Sequence, residues 1–459
     1  MLFRRLSVVL LCASPLLAGC GDDEDNNTEP KSCSTTEQTG CSVGLVCEEV
    51  QGGEPACFSP LTVRGRVFDA LDEVGIVGAR VLARDPNGAV VSRVAITAED
   101  GTYSLLVPAR RDANGAPIGA DVTLRADAAG YDTFPKAPRV ALPIDTGSAT
   151  GEPLAIESAA TDIALIPLPS SAGLGVVSGT VIADDPGGTL VVAGGATGAA
   201  DFDGAYTVFN VPAGDVAVRG YAAGLQLDEA TATVTAGQET LGVDLHGTGD
   251  ATAVVNGKVE IVNGGGSSET SVILVVKDTF NATVARGESP RGLRAFPVSG
   301  EFTIPDVPDG DYVILAAFEN DGLVRDPDTS IGGTDIVEIS VAGDSVEVAD
   351  GFKVTGALAV RGPGADQLDE VSGTPTFVWE DDSSEGHYEV RLYDALGTLI
   401  WEDLAVPEVS GGDDVSVAYA GPALMPGMIY QFRAVSWSKG GTPTPISSTE
   451  DLKGVFIYR

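Results

Sequence analysis

The stretch Glu99–Pro108, EDGTYSLLVP, decides how this chain folds. Its Asp-Gly pair followed by alternating apolar and polar residues is the strongest short-range signal of a β-hairpin. Related stretches recur as ADFDGAYTVFNVP at 200–212 and SGEFTIPDVP at 299–308. Each of the three follows a V-x-G-x-V strand, at 63–67, 177–181 and 255–259. The ordered recurrence of the same motifs predicts tandem copies of one β-domain.

Composition extends this prediction to the whole chain. The 459 residues include 58 Gly and 27 Pro, yet 43% are apolar, which is typical of short buried strands joined by many turns. We therefore predict an all-β protein of tandem Greek-key β-sandwiches, placed after a signal peptide and a small disulfide-rich segment. In chain order the expected parts are a signal peptide (1–19), an acidic tether (20–32), the disulfide segment (33–60), module 1 (61–168), module 2 (173–247), module 3 (252–350) and module 4 (352–459).

The repeated motifs resemble a known domain family. V-x-G-x-V, then D-G-x-Y/F, then V-P-A-G-D or V-P-D-G-D (211–215 and 307–311) are similar to the carboxypeptidase regulatory-like domain. That resemblance implies a seven-stranded, transthyretin-like Greek-key sandwich. The carboxypeptidases that carry the domain have a zinc-binding catalytic domain beside it. Here the only histidines are His246 and His387, and neither begins an HxxE or HExxH pattern, so the resemblance implies no peptidase activity.

Module 4 differs in character, because all three tryptophans, Trp379, Trp401 and Trp437, lie in it. An early-strand Trp379 and the strand Tyr430–Arg433 after a Leu-x-Pro-Gly turn resemble a fibronectin type III domain. We expect the tryptophans to pack in the sandwich core, with an exposed sugar-binding shelf as the alternative. Alternation in the strand 388–393 predicts Tyr388, Val390 and Leu392 on one face.

The N-terminus carries an export signal. Two arginines precede the apolar run Leu6–Leu17, which is too short to span a membrane. The run ends in Leu-Ala-Gly-Cys at 17–20, which resembles the lipobox of bacterial lipoproteins, here of a myxobacterial type. This predicts lipidation of Cys20, and Gly21 after it favours the outer membrane, with periplasmic or cell-surface exposure left open. An ordinary secretory signal with an incidental cysteine is the alternative.

Four cysteines remain in the exported chain, and they are packed into one short segment. An even cluster in an oxidising compartment predicts two disulfides. Three pairings are possible, of which we favour the interleaved one. A zinc site is the competitor, but the gaps of seven, five and nine residues do not form the two close pairs that zinc prefers. The residues concerned are Cys33, Cys41, Cys47 and Cys57.

Charge and missing motifs limit the function. A net charge of −39 disfavours nucleic acid and anionic lipid, so we expect membrane contact only through lipidated Cys20. We find no catalytic constellation and expect no enzyme, no cofactor and no metal. Both histidines are expected to face solvent. Asp201-x-Asp203 and Asp326-x-Asp328 resemble fragments of calcium loops, but we interpret them as turns.

Two classes of function remain. The favoured one is a non-catalytic, lipid-anchored scaffold of the cell envelope that binds an envelope protein or a polysaccharide. The alternative is a carbohydrate-binding lipoprotein with a starch-binding-like fold, which the inward positions expected for Tyr103, Tyr206 and Tyr312 disfavour. The loop 321–336 is a plausible binding edge, because sandwiches present function at their loop ends.

Overall fold

The computed structural model describes residues 33–35, 40–264, 268–281, 285–316, 321–327, 333–349, 351–409 and 412–459. These residues form β-strands and turns, with three short 3₁₀ turns at Thr146–Ser148, Ala159–Thr161 and Lys277–Thr279. No helix in the described ranges is long and apolar enough to cross a membrane. The expected all-β class of tandem β-sandwiches behind a disulfide-rich segment is confirmed.

The disulfide segment and module 1 come first along the chain. The disulfide segment forms one hairpin, from strands Val46–Glu48 and Ala56–Phe58. The strands of module 1 are Leu61–Asp69, Arg80–Arg84, Ala95–Ile96, Thr102–Val107, Arg110–Arg111, Pro117–Ile118, Asp121–Asp127, Ile144–Asp145, Ala155–Ile156 and Ile163–Leu165.

Modules 2 and 3 repeat the same order of elements. The strands of module 2 are Leu174–Ile182, Leu190–Ala193, Ala196–Ala199, Ala205–Pro212, Gly214–Tyr221, Leu225–Leu227, Ala230–Val234, Glu239–Thr240 and Leu245–Asp250. Those of module 3 are Ala253–Val262, Thr270–Val276, Phe280–Asn281, Ala285–Arg286, Arg294–Val298, Glu301–Val307, Gly310–Ala316, Leu323–Arg325, Val337–Val341, Val346–Glu347 and Phe352–Gly356.

Each of these three modules has two sheets of the same design. In module 2 the first strand, Leu174–Ile182, pairs antiparallel with the hairpin strand Ala205–Pro212. On its other side it pairs in parallel with Glu239–Thr240 and then Leu245–Asp250. The second sheet has four strands, and their order is the same in all three modules. We call the two layers the first sheet and the second sheet.

In modules 1 and 2 the glycine of V-x-G-x-V lies against the chain that links the two parts of the parallel neighbour. A Cβ on Gly65 would lie 2.1 Å from the carbonyl oxygen of Thr161, and a Cβ on Gly179 1.9 Å from that of Val243. These carbonyl oxygens occupy the space that a side chain would take, and they also accept the hydroxyl protons of Tyr103 and Tyr206. The resemblance implied seven strands in each module, whereas the described residues of modules 1, 2 and 3 form ten, nine and eleven strands, several of only two or three residues.

The cores match the sequence alternation. Tyr103, Tyr206 and Tyr312 are 6%, 2% and 0% exposed, so their expected inward positions are confirmed. In module 4, Tyr388, Val390 and Leu392 are all fully buried, as alternation predicts. They pack with Trp379 and Phe432 in one cluster.

Module 4 is a sandwich of three-stranded and six-stranded sheets. Its boundary needs a correction, because the strand Phe352–Gly356, which we placed at the start of module 4, pairs in parallel with Ala253–Val262 and completes module 3. That pairing joins residues about a hundred positions apart, which composition does not reveal. The strands of module 4 are Val360–Gly362, Asp369–Val371, Thr376–Trp379, Glu385–Asp394, Leu399–Pro407, Val415–Ala418, Ile429–Ser438, Pro445–Ser448 and Val455–Tyr458.

Candidate functional site

The residues predicted from sequence as sites lie at the N-terminal end. Cys20, the predicted lipidation site, lies outside the described residues, as do the signal peptide and the tether. The disulfide segment contains two bonds, Cys33–Cys47 and Cys41–Cys57, with Cα–Cα distances of 5.7 and 5.5 Å. This is the interleaved pairing that we favoured.

The zinc alternative conflicts with these bonds. The sulfur atoms of Cys33, Cys41 and Cys47 lie within 4.8 Å of one another, which is close enough for a shared metal. All three sulfurs are oxidised in disulfides, however, and a metal ligand must be a thiolate. Among the described residues no other group of three His, Cys, Asp or Glu side chains comes as close together.

A buried ion pair holds the disulfide segment against module 1. Arg111 Nε donates to Glu48 Oε2 at 2.5 Å, and both residues are 2% exposed. The other oxygen of Glu48 accepts from the Ala109 amide at 3.0 Å. Arg111 Nη2 donates to the Ser59 carbonyl oxygen at 3.0 Å. The two disulfides cross-link the segment internally, and this ion pair holds it as a cap on the first module.

The main site found by the structure is a triple junction, which we define as Arg84, Arg125, Asp127, Thr197 and Glu288. Arg125 is fully buried and donates to both oxygens of Asp127, at 2.7 and 3.0 Å. It also donates to Glu288 of module 3 at 2.9 Å and to the hydroxyl and carbonyl oxygens of Thr197 of module 2, at 2.8 and 3.0 Å. One side chain of module 1 therefore binds modules 2 and 3 at once.

The charges of the triple junction balance. Two guanidinium groups face two carboxylates, and Arg84 also donates to Glu288. Burial acts to lower the pKa of Arg125, but the carboxylates of Asp127 and Glu288 outweigh it, so the pKa is raised. Burial lowers the pKa of Arg84, and the positive charge of Arg125 adds to this effect. A buried network is favourable only when it is neutral and hydrogen-bonded, and these contacts approach that condition.

A second device, which we call the glycine joint, recurs where one module leads to the next. Gly130, Gly224 and Gly322 hold equivalent turns with φ of +83°, +78° and +79°, values that favour glycine. Their carbonyl oxygens accept from the amides of the departing chain at Leu168, Ala251 and Ala357, at 2.8, 3.1 and 2.9 Å respectively. The linker after each module is thereby bound back to that module.

The amide of each of these glycines points to the following module. The Gly130 amide donates to Asn210 Oδ1 and the Gly224 amide to the Asp306 carbonyl oxygen, both at 2.8 Å. The Gly322 amide donates to the Glu450 carboxylate. Asn210 and Asp306 occupy the same place, directly before a Val-Pro pair, and both have positive φ, +59° and +57°. The repeated sequence therefore contains the residue that binds each module to the one before it.

Module 4 closes back onto module 1. Arg139 of module 1 donates twice to the Leu396 carbonyl oxygen, at 3.2 and 2.6 Å. Ala395, Ile429 and Val455 of module 4 are part of the buried apolar cluster of module 1. The four modules thus touch beyond their chain neighbours, because module 3 reaches module 1 through Glu288 and module 4 reaches it here.

The remaining candidates have structural roles. His246 is exposed, with Nδ1 3.4 Å from Asp228, as expected for a solvent-facing residue. His387 was expected to face solvent as well, but it is half-buried and stacks on Trp437, with ring centroids 6.0 Å apart. Of the tryptophans, Trp379 is fully buried in the core and half-buried Trp401 packs against it, as expected, whereas half-buried Trp437 is not part of that core cluster.

The suggested calcium fragments bind backbone or lysine instead. Asp201 accepts from the Val94 and Phe202 amides, and Asp203 accepts from the Ala205 amide, so both support the turn. Asp326 pairs with buried Lys353 at 3.6 Å. Asp328 lies outside the described residues, together with most of the middle of the suggested binding loop at 328–332.

The triple junction was missed from sequence for a definable reason. Alternation in Asp121–Asp127 places Val122, Leu124 and Ala126 in the core of module 1, and Arg125 on the outer face of the second sheet. Such a face is normally exposed to solvent, so an arginine there does not indicate a contact between modules. Its partners Thr197 and Glu288 are 72 and 163 residues away in the chain, and no local sequence pattern predicts them.

Comparisons with known proteins add little to this geometry. No protein-family model matches the chain, and no curated protein matches it. Among solved structures, the TIE protein of Bacillus anthracis is 11% identical with a TM-score of 0.15, over 83% of this chain and 65% of that one. The major pilin subunit BcpA of Bacillus cereus is 10% identical with a TM-score of 0.15, over 64% and 99%. A streptococcal ancillary pilin is 11% identical with a TM-score of 0.17, over 64% and 98%. At such scores these similarities support no conclusion about function.

Proposed function

We propose that this protein is a lipid-anchored, non-catalytic scaffold of the bacterial cell envelope, whose four modules hold one fixed arrangement. The observation that carries the proposal is the triple junction, in which one fully buried arginine binds three modules. A flexible string of domains does not need such contacts. Interdomain contacts of ordinary chains are small and polar and permit motion.

The arrangement differs from a straight series of sandwiches. Modules 1, 2 and 3 meet at Arg125, and module 4 returns to module 1 at Arg139. A scaffold of this kind presents loops of several modules in fixed relative positions, which suits recognition of one large partner. We expect that partner to be an envelope protein or a polysaccharide. The net charge of −39 favours a partner with basic groups.

The anchor part of the proposal rests on the N-terminal sequence. Lipidated Cys20 would hold the chain at the outer membrane, since several acyl chains bind a bilayer much more strongly than one. The segment 20–32 would link this anchor to the disulfide segment. The capped end of module 1 would then lie nearest to the bilayer.

Fatty-acid labelling tests the anchor. The full chain is expressed in a Gram-negative host with an alkyne-tagged palmitate, and membrane and soluble fractions are compared. We expect label and membrane association for the natural sequence and for Cys12→Ser, the matched control in the signal peptide. Cys20→Ser should lose the label and leave the membrane fraction. Label that persists in Cys20→Ser would overturn the proposed anchor.

Carbohydrate binding remains the alternative, with less support. A sugar platform needs exposed, coplanar rings, whereas the three repeat tyrosines are buried and Trp379 is fully buried. A glycan and cell-wall polysaccharide screen with residues 31–459, disulfides intact, tests it. Saturable binding that free sugar competes away would favour this function over a protein-binding scaffold.

A further inference from the structure

A cleft of about 490 Å³ lies between modules 1 and 4, and both modules line it. Its apolar walls include Ile144 and Ile156 of module 1 and Ile429 and Val455 of module 4, which are between 4% and 7% exposed. Leu368 of module 4 also lines the cleft and is 50% exposed, so part of the apolar lining faces solvent. Clefts of this size and lining, at contacts between domains, are the usual places where ligands bind.

The charges around this cleft are unbalanced. Four acids line it, Asp121, Asp145, Glu157 and Asp366, whereas Lys453 is the one cation among the described residues that do so. Asp121 and Asp145 lie directly opposite each other on neighbouring antiparallel strands. Like charges in that position repel each other and destabilise a sheet. A cationic group bound in the cleft would offset this repulsion.

A second cavity, of about 310 Å³, continues the cleft toward the disulfide segment. Ala120 and Asp121 line both cavities, so the two adjoin at these residues. The second cavity lies between Cys47 and Glu49 of the disulfide segment and module 1, which contributes Pro108 among others. We call the two cavities together the acidic groove. Because it crosses the disulfide segment, module 1 and module 4, its shape fits an extended ligand.

We propose that the acidic groove binds an extended segment of a partner protein that carries both basic and apolar residues. Its lysine or arginine side chains would lie beside Asp121 and Asp145, and its apolar side chains would contact Leu368 and the apolar walls. The inference deepens the proposed function, in which the net charge favours a partner with basic groups. It also rests on that function, because the two walls of the cleft keep their places only while module 4 stays on module 1.

The lining of the acidic groove favours a peptide over a polysaccharide. None of the described residues that line either cavity has an aromatic ring, whereas a sugar platform needs exposed rings. The acids would repel an anionic polysaccharide and would gain little from an uncharged one. A basic peptide satisfies both parts of the lining, because its charged groups pair with the acids and its apolar side chains cover the exposed apolar surface.

A pair of designed peptides tests the acidic groove. The probe is a fluorescently labelled peptide of Lys-Leu repeats with blocked ends, and the comparison peptide has Glu-Leu repeats of the same length. Each is titrated with the disulfide-intact exported chain at about 0.15 M salt, where attraction to distant charges is largely screened. Fluorescence anisotropy should show saturable binding of the Lys-Leu peptide and no binding of the Glu-Leu peptide.

Variants of the groove separate local binding from attraction to the net charge. The triple variant Asp121→Asn, Asp145→Asn, Glu157→Gln should weaken binding of the Lys-Leu peptide roughly 10-fold or more. Asn at 145 keeps a side-chain oxygen that can accept from the Gly147 amide, as Asp145 does, so the turn should be retained. The matched control removes three exposed acids outside the groove and should bind like the natural chain; it is Glu99→Gln, Asp344→Asn, Asp413→Asn.

One further variant tests the apolar part of the groove. Leu368→Ser should also weaken binding of the Lys-Leu peptide, roughly several-fold, because the peptide leucines lose an apolar contact. Its control is Leu241→Ser in module 2, where the leucine is 72% exposed and lies outside the groove, and this change should leave binding unaltered.

Failure of the groove and failure of the scaffold give different results. The amides of Gly130, Gly224 and Gly322 bind the following modules, so their hydrogen exchange reports on the fixed arrangement. No binding of the Lys-Leu peptide while these amides stay protected would overturn the groove alone. Equal weakening in the triple variant and its control would overturn it as well. A cationic chitosan oligomer that binds where the peptide does not would overturn the choice of a protein partner.

Discussion

Replacing Arg125 by Ala should loosen three modules at once. The change removes five hydrogen-bond contacts, two to Asp127, one to Glu288 and two to Thr197. It also leaves Asp127, which is buried, and Glu288, which is half-buried, without the guanidinium that donates to both. Breaking a buried ion pair by deleting one partner costs about 3–5 kcal/mol, and we expect a loss in that range.

Residue-resolved hydrogen exchange is the suitable assay. All three tryptophans lie in module 4, so their fluorescence does not report on the junction. A chain of several modules also lacks a single two-state unfolding free energy, whereas exchange gives a local opening free energy for each strand. We expect faster exchange in Asp121–Asp127 and Ala196–Ala199, with module 4 strands little changed.

Two further variants calibrate the result. Arg125→Lys keeps the positive charge but loses the planar guanidinium group with its several donors. We therefore expect a smaller loss of local stability than in Arg125→Ala, about 1–3 kcal/mol. Arg219→Ala is the control, because Arg219 and Glu229 form a pair of similar length, 2.6 Å, with side chains 49% and 48% exposed. An exposed pair contributes under about 1 kcal/mol. If Arg125→Ala costs no more than Arg219→Ala, the reasoning about the junction is wrong.

Three other predictions follow from single contacts. Gly179→Ala would place a Cβ 1.9 Å from the Val243 carbonyl oxygen, so it should lower the local opening free energy of module 2 by about 1–3 kcal/mol or more in hydrogen exchange. Gly300→Ala, with no atom within 4 Å of the added Cβ, should leave module 3 unchanged in the same assay. Removing the Cys41–Cys57 bond by Cys41→Ser with Cys57→Ser should lower the stability of the disulfide segment by about 3 kcal/mol. Protease should then cleave this segment faster, while the rate of cleavage in module 4 stays the same. Asn210→Ala deletes three hydrogen bonds to the 128–131 turn and should weaken the glycine joint between modules 1 and 2 by about 1–3 kcal/mol, as measured by hydrogen exchange. A smaller loss in Asn210→Asp, which keeps the acceptor, would support this role of Asn210. No loss in either variant would contradict it.

The sequence predicted what depends on short-range chemistry. The Asp100-Gly101 pair predicts a turn and the alternation predicts that Tyr103 points inward, so the hairpins and the cores could be foreseen. Neighbouring cysteines in an exported chain also predicted the disulfide segment. These features need only a few residues on each side.

What the sequence did not predict depends on distant partners. Arg125 looks like a solvent-facing residue of an amphipathic strand until modules 2 and 3 cover it. The strand Phe352–Gly356 was assigned to the wrong module because its partner strand lies far back in the chain. Asn210 gave one weak signal, since Asp306 occupies the same place before Val-Pro in the next repeat.

The fixed arrangement of modules is tested most directly by the exchange rates of two amides, those of Gly130 and Gly224. Both lie in surface turns, where an amide normally exchanges fast, and in each the only bond described is to the following module. We predict strong protection of both in the natural chain, and loss of protection at Gly130 alone in Asn210→Ala. Exchange of both amides at the rate of a free turn would mean that the modules move independently, and would contradict the scaffold.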